Sequence, residues 1–375
     1  MNCSDLPKPI VYVSGSSAAK PVLANLGAAL ATAATPLTVV YQGNGSCTGV
    51  AGIYGATPIT GTATYWNTPG TGGMPPAAQS CSLSLTGDAI DIGISDVFSK
   101  SCPNTPDDAT IGDFWGPVQV MNLVVPAASS QTTISAEAAY LLFGFGAAGA
   151  VAPFTDDNLI FIRSETSGTQ QMIAAAINVP ANKWKGVQNA KSSDVQAKVE
   201  MSAMPEATIG ILASDLADPD VTAGKLKILQ YQHYGQGCGF LPDSKSSAHD
   251  KLNVRDGHYP IWGPLHFFAK VGADKKPASA AAAQLIGYIT GTQEAPAGVN
   301  LVDIEIAAHT VPLCAMQVAR TSEVGPLMSS APAKPCGCYF ENKANGATSC
   351  TNCMTDGDCK SGTNTHCRYG YCEAS

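Results

Sequence analysis

The sequence predicts an α/β protein of two lobes followed by a small, disulfide-rich C-terminal module. Three observations predict it. Apolar, strand-like runs followed by Gly/Ser turns recur along the chain. The 375 residues suffice for two medium domains with buried cores. Seven of the 13 cysteines fall after residue 335, in a segment almost without apolar residues, so crosslinks must hold that segment together.

The most informative unit begins with the apolar run Leu159-Ile160-Phe161-Ile162 and continues through Arg163-Ser164-Glu165-Thr166-Ser167-Gly168-Thr169 into a helical pattern from Gln170. This reads as strand, polar turn, helix. Unpaired N–H groups and a partial positive charge at a helix N-terminus make such a turn a socket for a tetrahedral anion. Gly168 admits close backbone approach, Ser167 and Thr169 offer hydroxyls, and Arg163 offers a planar cation that Glu165 can hold in place. The same residues also suit an ordinary capped helix with a surface ion pair.

Earlier in the chain, Ile10 to Val13 is a strand that Ser14-Gly15-Ser16-Ser17 turns into a helix over Pro21 to Ala34. Ser17-Ala18-Ala19-Lys20 matches the Ser-x-x-Lys signature of penicillin-binding enzymes. Its Ser-Asp-Asn and Lys-Thr-Gly partners are missing from the body of the chain, and only Lys360-Ser361-Gly362 in the tail resembles the latter. A hydrolase using Ser17 or Ser46 lacks an identifiable base. Leu37 to Tyr41 is the next strand, running into the turn Gln42 to Gly49. From Val50 to Ser84 we expect loops and short hairpins forming either a rim over a site or an inert excursion, with Cys47 and Cys81 placed to staple its base.

Ala89 to Asp96 is a strand ending in Ser95-Asp96. A carboxylate beside an anion socket makes sense if the anion carries a proton for it to accept; the plainer reading is a cap on the following segment. Val118 to Pro126 and Tyr259 to Lys270 read as strands crossing between lobes. Ser135 caps a helix from Ala136 to Phe143. Helices are also expected over 170–178, 192–201 and 277–290, and strands over Ile209 to Leu212 and Lys225 to Tyr231. His258 and His266 read as structural. The glycine spacing in Gly235-Gln236-Gly237-Cys238-Gly239 is discounted as a nucleotide loop because no helix follows it.

A net charge of −8 argues against nucleic acid, since no basic stripe exists to neutralise phosphates. Charged residues make up only 13%, in keeping with an exported protein. The cysteine content points to an oxidising compartment. Met1-Asn2-Cys3-Ser4 lacks a basic n-region and an apolar h-region, as a mature chain with an added methionine would. Cys3 is then a candidate for a lipid anchor, which parity slightly favours, or for a disulfide to a core cysteine. Ser329 to Lys334 is a linker by composition. Beyond it, Cys350 and Cys353 with His366-Cys367 permit zinc, but the exported context favours disulfides. One of the seven tail cysteines must pair outside the tail, with Cys314 the candidate, or stay free.

Taken in order, these units resemble the phosphate-binding proteins of ABC phosphate transporters, which have the type 2 periplasmic binding protein fold with a ligand cleft between lobes. The resemblance runs from about residue 9 to 320 and rests on Tyr41-Gln42-Gly43-Asn44-Gly45-Ser46, Asp91 to Asp96, Arg163 to Thr169 and Tyr259-Pro260-Ile261. It implies one lobe from 8–122 and 262–330, a second from 123–261, and a module over 331–375. It also implies phosphate ligands at Ser17, Ala18, Ser46, Asp96, Arg163, Ser167, Gly168 and Thr169, with Glu165 in support. The implied protein is a monomeric, periplasmic or cell-surface receptor for hydrogen phosphate that serves an ABC transporter permease, without catalysis, cofactor or metal. Ser17, Ala18 and Glu165 depart from the family's usual Thr, bulky residue and Asp while keeping donor or charge. The tail has no counterpart in that family, and its spacing resembles small disulfide modules of bacterial surface proteins. A surface or sensory protein whose loops and tail bind a partner is the alternative.

Overall fold

The computed structural model describes residues 1–71, 74–346, 348–360 and 365–373. In chain order its elements begin with β1 (Ile10–Gly15), α1 (Lys20–Ala31), β2 (Thr38–Gln42), α2 (Ser46–Tyr54), β3 (Thr62–Tyr65), β4 (Gln79–Ser82), β5 (Ile92–Ser95) and β6 (Ile111–Pro126). There follow β7 (Thr133–Ser135), α3 (Ala136–Phe145), β8 (Ile160–Ile162), α4 (Gly168–Ile177), β9 (Val187–Gln188), α5 (Ser192–Glu200), β10 (Ile209–Ala213) and α6 (Ser214–Thr222). Next come β11 (Leu226–Ile228), β12 (Gln230–Gln232), α7 (Leu252–Arg255), β13 (Trp262–Lys270), α8 (Ala280–Ile289) and α9 (Leu301–Ala307). The chain closes with β14 (Val318–Ala319), β15 (Met328–Ser329), α10 (Gly337–Asn345), β16 (His366–Arg368) and β17 (Tyr371–Glu373).

These elements form two compact units. The first holds residues 1–116, 166–168 and 264–308, and the second holds 117–165, 169–263 and 309–375. The divisions fall inside β6 and near the start of β13, and the cysteine-rich segment belongs to the second unit.

In the first unit the strand order is β4-β3-β2-β1-β5-β13. β1 runs parallel to β2 and β5, as strand-turn-helix connections require, whereas β13 pairs antiparallel with β5. Leu23 and Leu26 of α1, Val39, Trp66, Ile94, Phe267 and Leu285 fill its core. Helix starts follow local chemistry. Pro21 sits in the first turn of α1, and Ser279 and Asn300 cap α8 and α9 through their side-chain oxygens.

In the second unit β10 pairs antiparallel with β6 and parallel with β8, β9 joins β8, and β11 edges β6. Val124, Phe161, Val195, Val199 and Leu212 pack between this sheet and α5 and α6. Ser135 caps α3 by accepting from Ala138 N.

Several expectations are corrected. Val50 to Tyr54 completes a helix that begins at Ser46, because Gly45 at φ 100° turns the chain into α2; among the described residues of the expected loop region, β3 and β4 form a hairpin that extends the sheet. The strand expected over Lys225 to Tyr231 breaks at Leu229, so β11 pairs with β6 while β12 pairs with β7. Cys3 is buried and bonded to Cys81, so its sulfur is not available for a lipid anchor. Cys47 pairs with Cys102, not Cys81.

In the tail Cys338–Cys350, Cys353–Cys367 and Cys359–Cys372 are disulfides, which takes the thiolates that zinc would need. Cys336 pairs with Cys314 outside the tail. The unpaired cysteine among the described residues is Cys238, exposed on a loop. Of Lys360-Ser361-Gly362, the last two residues lie outside the described residues. Among the described residues no helix is long and apolar enough to cross a membrane.

Candidate functional site

The C-terminal ends of β1, β2 and β5 bring three polar turns of the first unit together. At Gly15, with φ 138°, a Cβ would stand 1.9 Å from Ile94 O, so only glycine lets the chain turn there. The next residue, Ser16, is fully buried. Its Oγ accepts from Ala18 N (3.1 Å) and Ala19 N (3.3 Å) just ahead of α1 and donates to Asp96 Oδ1 at 2.5 Å. Ser46, first residue of α2 and also fully buried, donates from Oγ to Asp96 Oδ2 at 2.9 Å and accepts from Asp96 N at 3.1 Å. Asp96 is 2% exposed and receives a seryl hydroxyl on each oxygen.

The Ser-Gly-Thr turn meets this pair. A Cβ on Gly168 would stand 2.3 Å from Ser46 Oγ and 2.4 Å from Asp96 Oδ2, so the glycine lets the first residue of α4 lie directly against the carboxylate. The turn is fastened by Cys47 N donating to Thr166 O at 3.1 Å. A buried carboxylate, two hydroxyls and a helix start thus occupy one small volume. The carboxylate can accept a proton from a ligand; both hydroxyl protons are spent on that carboxylate, so donors to the ligand's oxygens come from backbone N–H groups at the helix start.

Ser16, not Ser17, provides the hydroxyl of the first turn; Ser17 is only half-buried, and the Ala18 N–H is engaged by Ser16. Composition does not separate the two serines; Ser16 Oγ closes the turn on Ala18 N and Ala19 N ahead of α1. Ser167 and Thr169 are each 3% exposed.

In the second unit Arg163 is buried. It donates from Nε to Asn189 O at 3.3 Å, from one terminal nitrogen to Ala190 O at 2.9 Å, and from the other to Ser192 Oγ. Its backbone N bonds Gln170 Oε1 at 2.9 Å, and Gln170 Nε2 bonds Ala181 O at 2.8 Å, which fixes the strand end to α4. Glu165 is exposed, so the oxygens of 189–192 orient the guanidinium where Glu165 was expected to do so.

His266 is buried with Nδ1 2.8 Å from Asp113 Oδ1, and His258 is exposed beside Asp256 at 2.8 Å. Lys20, the second half of the Ser-x-x-Lys match, is exposed at the start of α1.

A parallel β2-β1-β5 set with an antiparallel β13, and polar turns at the strand ends, is the fold class of the type 2 periplasmic binding proteins. The chain is similar to a Clostridium perfringens protein assigned as a phosphate ABC transporter substrate-binding protein and solved with bound phosphate, at 13% identity and a TM-score of 0.56. The alignment covers 81% of this chain and 99% of that one. It is also similar to an ABC-type phosphate transport receptor from Vibrio cholerae, at 12% identity and a TM-score of 0.52, over 81% of this chain and all of that one. At these identities the likeness is one of fold. No protein-family model matches the sequence, and no curated protein matches it.

Proposed function

We propose that this protein is an exported solute receptor that binds hydrogen phosphate and delivers it to an ABC transporter without catalysis. The observation that carries this reading is the buried Asp96 carboxylate held by the Ser16 and Ser46 hydroxyls against Gly168. A fully deprotonated anion is repelled by such a carboxylate, whereas a protonated one donates to it, so the site is built for a tetrahedral oxyanion that still carries hydrogen at neutral pH. Ser16 and Ser46 spend their hydroxyl protons on Asp96 and so hold the acceptor, while the Ser167 hydroxyl and the backbone N–H of Gly168 supply donors. Arg163 and Thr169, which the resemblance adds to the set, belong to the second unit.

Isothermal titration of ligand-stripped protein with phosphate, with sulfate in parallel, tests it. Tight phosphate binding with silent sulfate is expected. Heat from neither anion would retire the phosphate reading in favour of a surface protein on the same fold.

A further inference from the structure

We propose that Lys251 and Asp243 condense to an intramolecular amide inside the second unit, with Asp218 as the base. The three side chains are 2%, 4% and 1% exposed. Lys251 Nζ stands 3.1 and 2.9 Å from the two oxygens of Asp243 and 2.7 Å from Asp218 Oδ2. Carboxylate oxygens of the two aspartates lie within 4.8 Å of each other. Asp218, Asp243 and His249 are spaced like metal ligands, but the ammonium already takes the cation's place.

The loop that carries the pair is braced against rearrangement. Lys251, at φ 45°, donates its backbone N–H to Asp243 Oδ1 at 2.8 Å. Asn253 Nδ2 bonds Leu241 O and Asp243 O at 2.9 and 2.8 Å, and Asp250 bonds Ser244 N at 2.8 Å. Asp218 comes from α6. Its Oδ2 faces the Lys251 ammonium at 2.7 Å and His309 Nδ1 at 3.3 Å.

The chemistry balances without a co-reactant. The ammonium passes a proton to Asp218, the freed amine attacks Asp243 Cγ, and the new N–C bond forms as a C–O bond breaks. The departing oxygen leaves as water with the protons shed by nitrogen. An ammonium and a carboxylate become a neutral amide plus water. Holding the reactants in contact removes the association entropy, and the amide replaces two buried charges. The environment separates the two acids. Burial foremost raises Asp243, while at Asp218 the Lys251 ammonium and His309 outweigh burial and hold it low. Both carboxylates keep Lys251 charged against its burial, so the resting state is the ion pair and the amide forms only when the ammonium gives up its proton to Asp218 against these fields.

Intact mass spectrometry of the full chain after complete disulfide reduction tests the proposal. The expected mass is one water below that of the sequence. Because Lys245 lies between the partners, trypsin should release a branched peptide joining 228–245 to 246–255, uncut after Lys251. A full sequence mass with cleavage after Lys251 would overturn the proposal and leave a buried ion pair. Asp218→Asn is expected to restore the full mass, and a link that still forms in that variant would remove Asp218 from its role.

Discussion

Ser46 and Asp96 hold each other twice: the hydroxyl donates to Oδ2 at 2.9 Å and accepts from the backbone N–H at 3.1 Å. With Ser16 on the other oxygen, the carboxylate is fixed in orientation before any ligand arrives. Such preorganisation lets a charge discriminate between anions that differ by one proton.

Replacing that charge should therefore change selectivity more than fold. Asp96→Asn is expected to shrink the phosphate-over-sulfate preference by about tenfold or more, the equivalent of about 1.5 kcal/mol for one charged hydrogen bond. Parallel titrations with both anions check it, and unchanged selectivity would take the proton-accepting role away from Asp96.

Glu305 of α9, 5% exposed, is pushed by burial up to about 8 from its usual 4.5. A carboxyl raised in the folded state favours folding fully below about pH 4.5, and that contribution is lost as pH climbs through about 8. Thermal unfolding from pH 5 to 9 should show falling stability, with a total effect on the order of several kcal/mol. Glu305→Gln, neutral throughout, should flatten the profile. A variant as pH-sensitive as the parent would place the cause elsewhere.

Arg255, 3% exposed, donates from Nε to Ala315 O at 2.9 Å and from a terminal nitrogen to Glu341 Oε1 at 2.8 Å, with the Phe340 ring 5.4 Å away. The cysteine-rich segment thus covers a buried cation. Removing residues 331–375 should lower stability by about 1–3 kcal/mol, moderated because Glu341 is partly solvated, and leave phosphate affinity unaltered. Calorimetric melting and phosphate titration separate the two effects; an affinity that fell with the truncation would give the segment a part in binding.

The strand-turn-helix units are legible in the sequence because apolar runs, obligatory glycines and capping hydroxyls are local signals. The strand end at Asp96 and the turn after β2 at Ser46 are local signals too, and the structure brings these two residues together. What depends on distant partners is not legible. Ser16 and Ser17 are equivalent by composition, and only the approach of β5 selects Ser16. Arg163 reads as paired with nearby Glu165, but carbonyls 26 and 27 residues onward hold it. Cysteine parity points to an odd residue without saying which: it is Cys238, on an exposed loop, and Cys3 is paired.

The Cys314–Cys336 bond has a consequence for proteolysis. Residues 329–334, which composition marks as a linker, lie inside the loop that this bond closes. A protease that nicks the linker severs the backbone without releasing the module, which stays covalently attached to the body through sulfur. Shedding of the tail therefore requires two events, a cut and a reduction, and in an oxidising milieu the first alone leaves the particle whole.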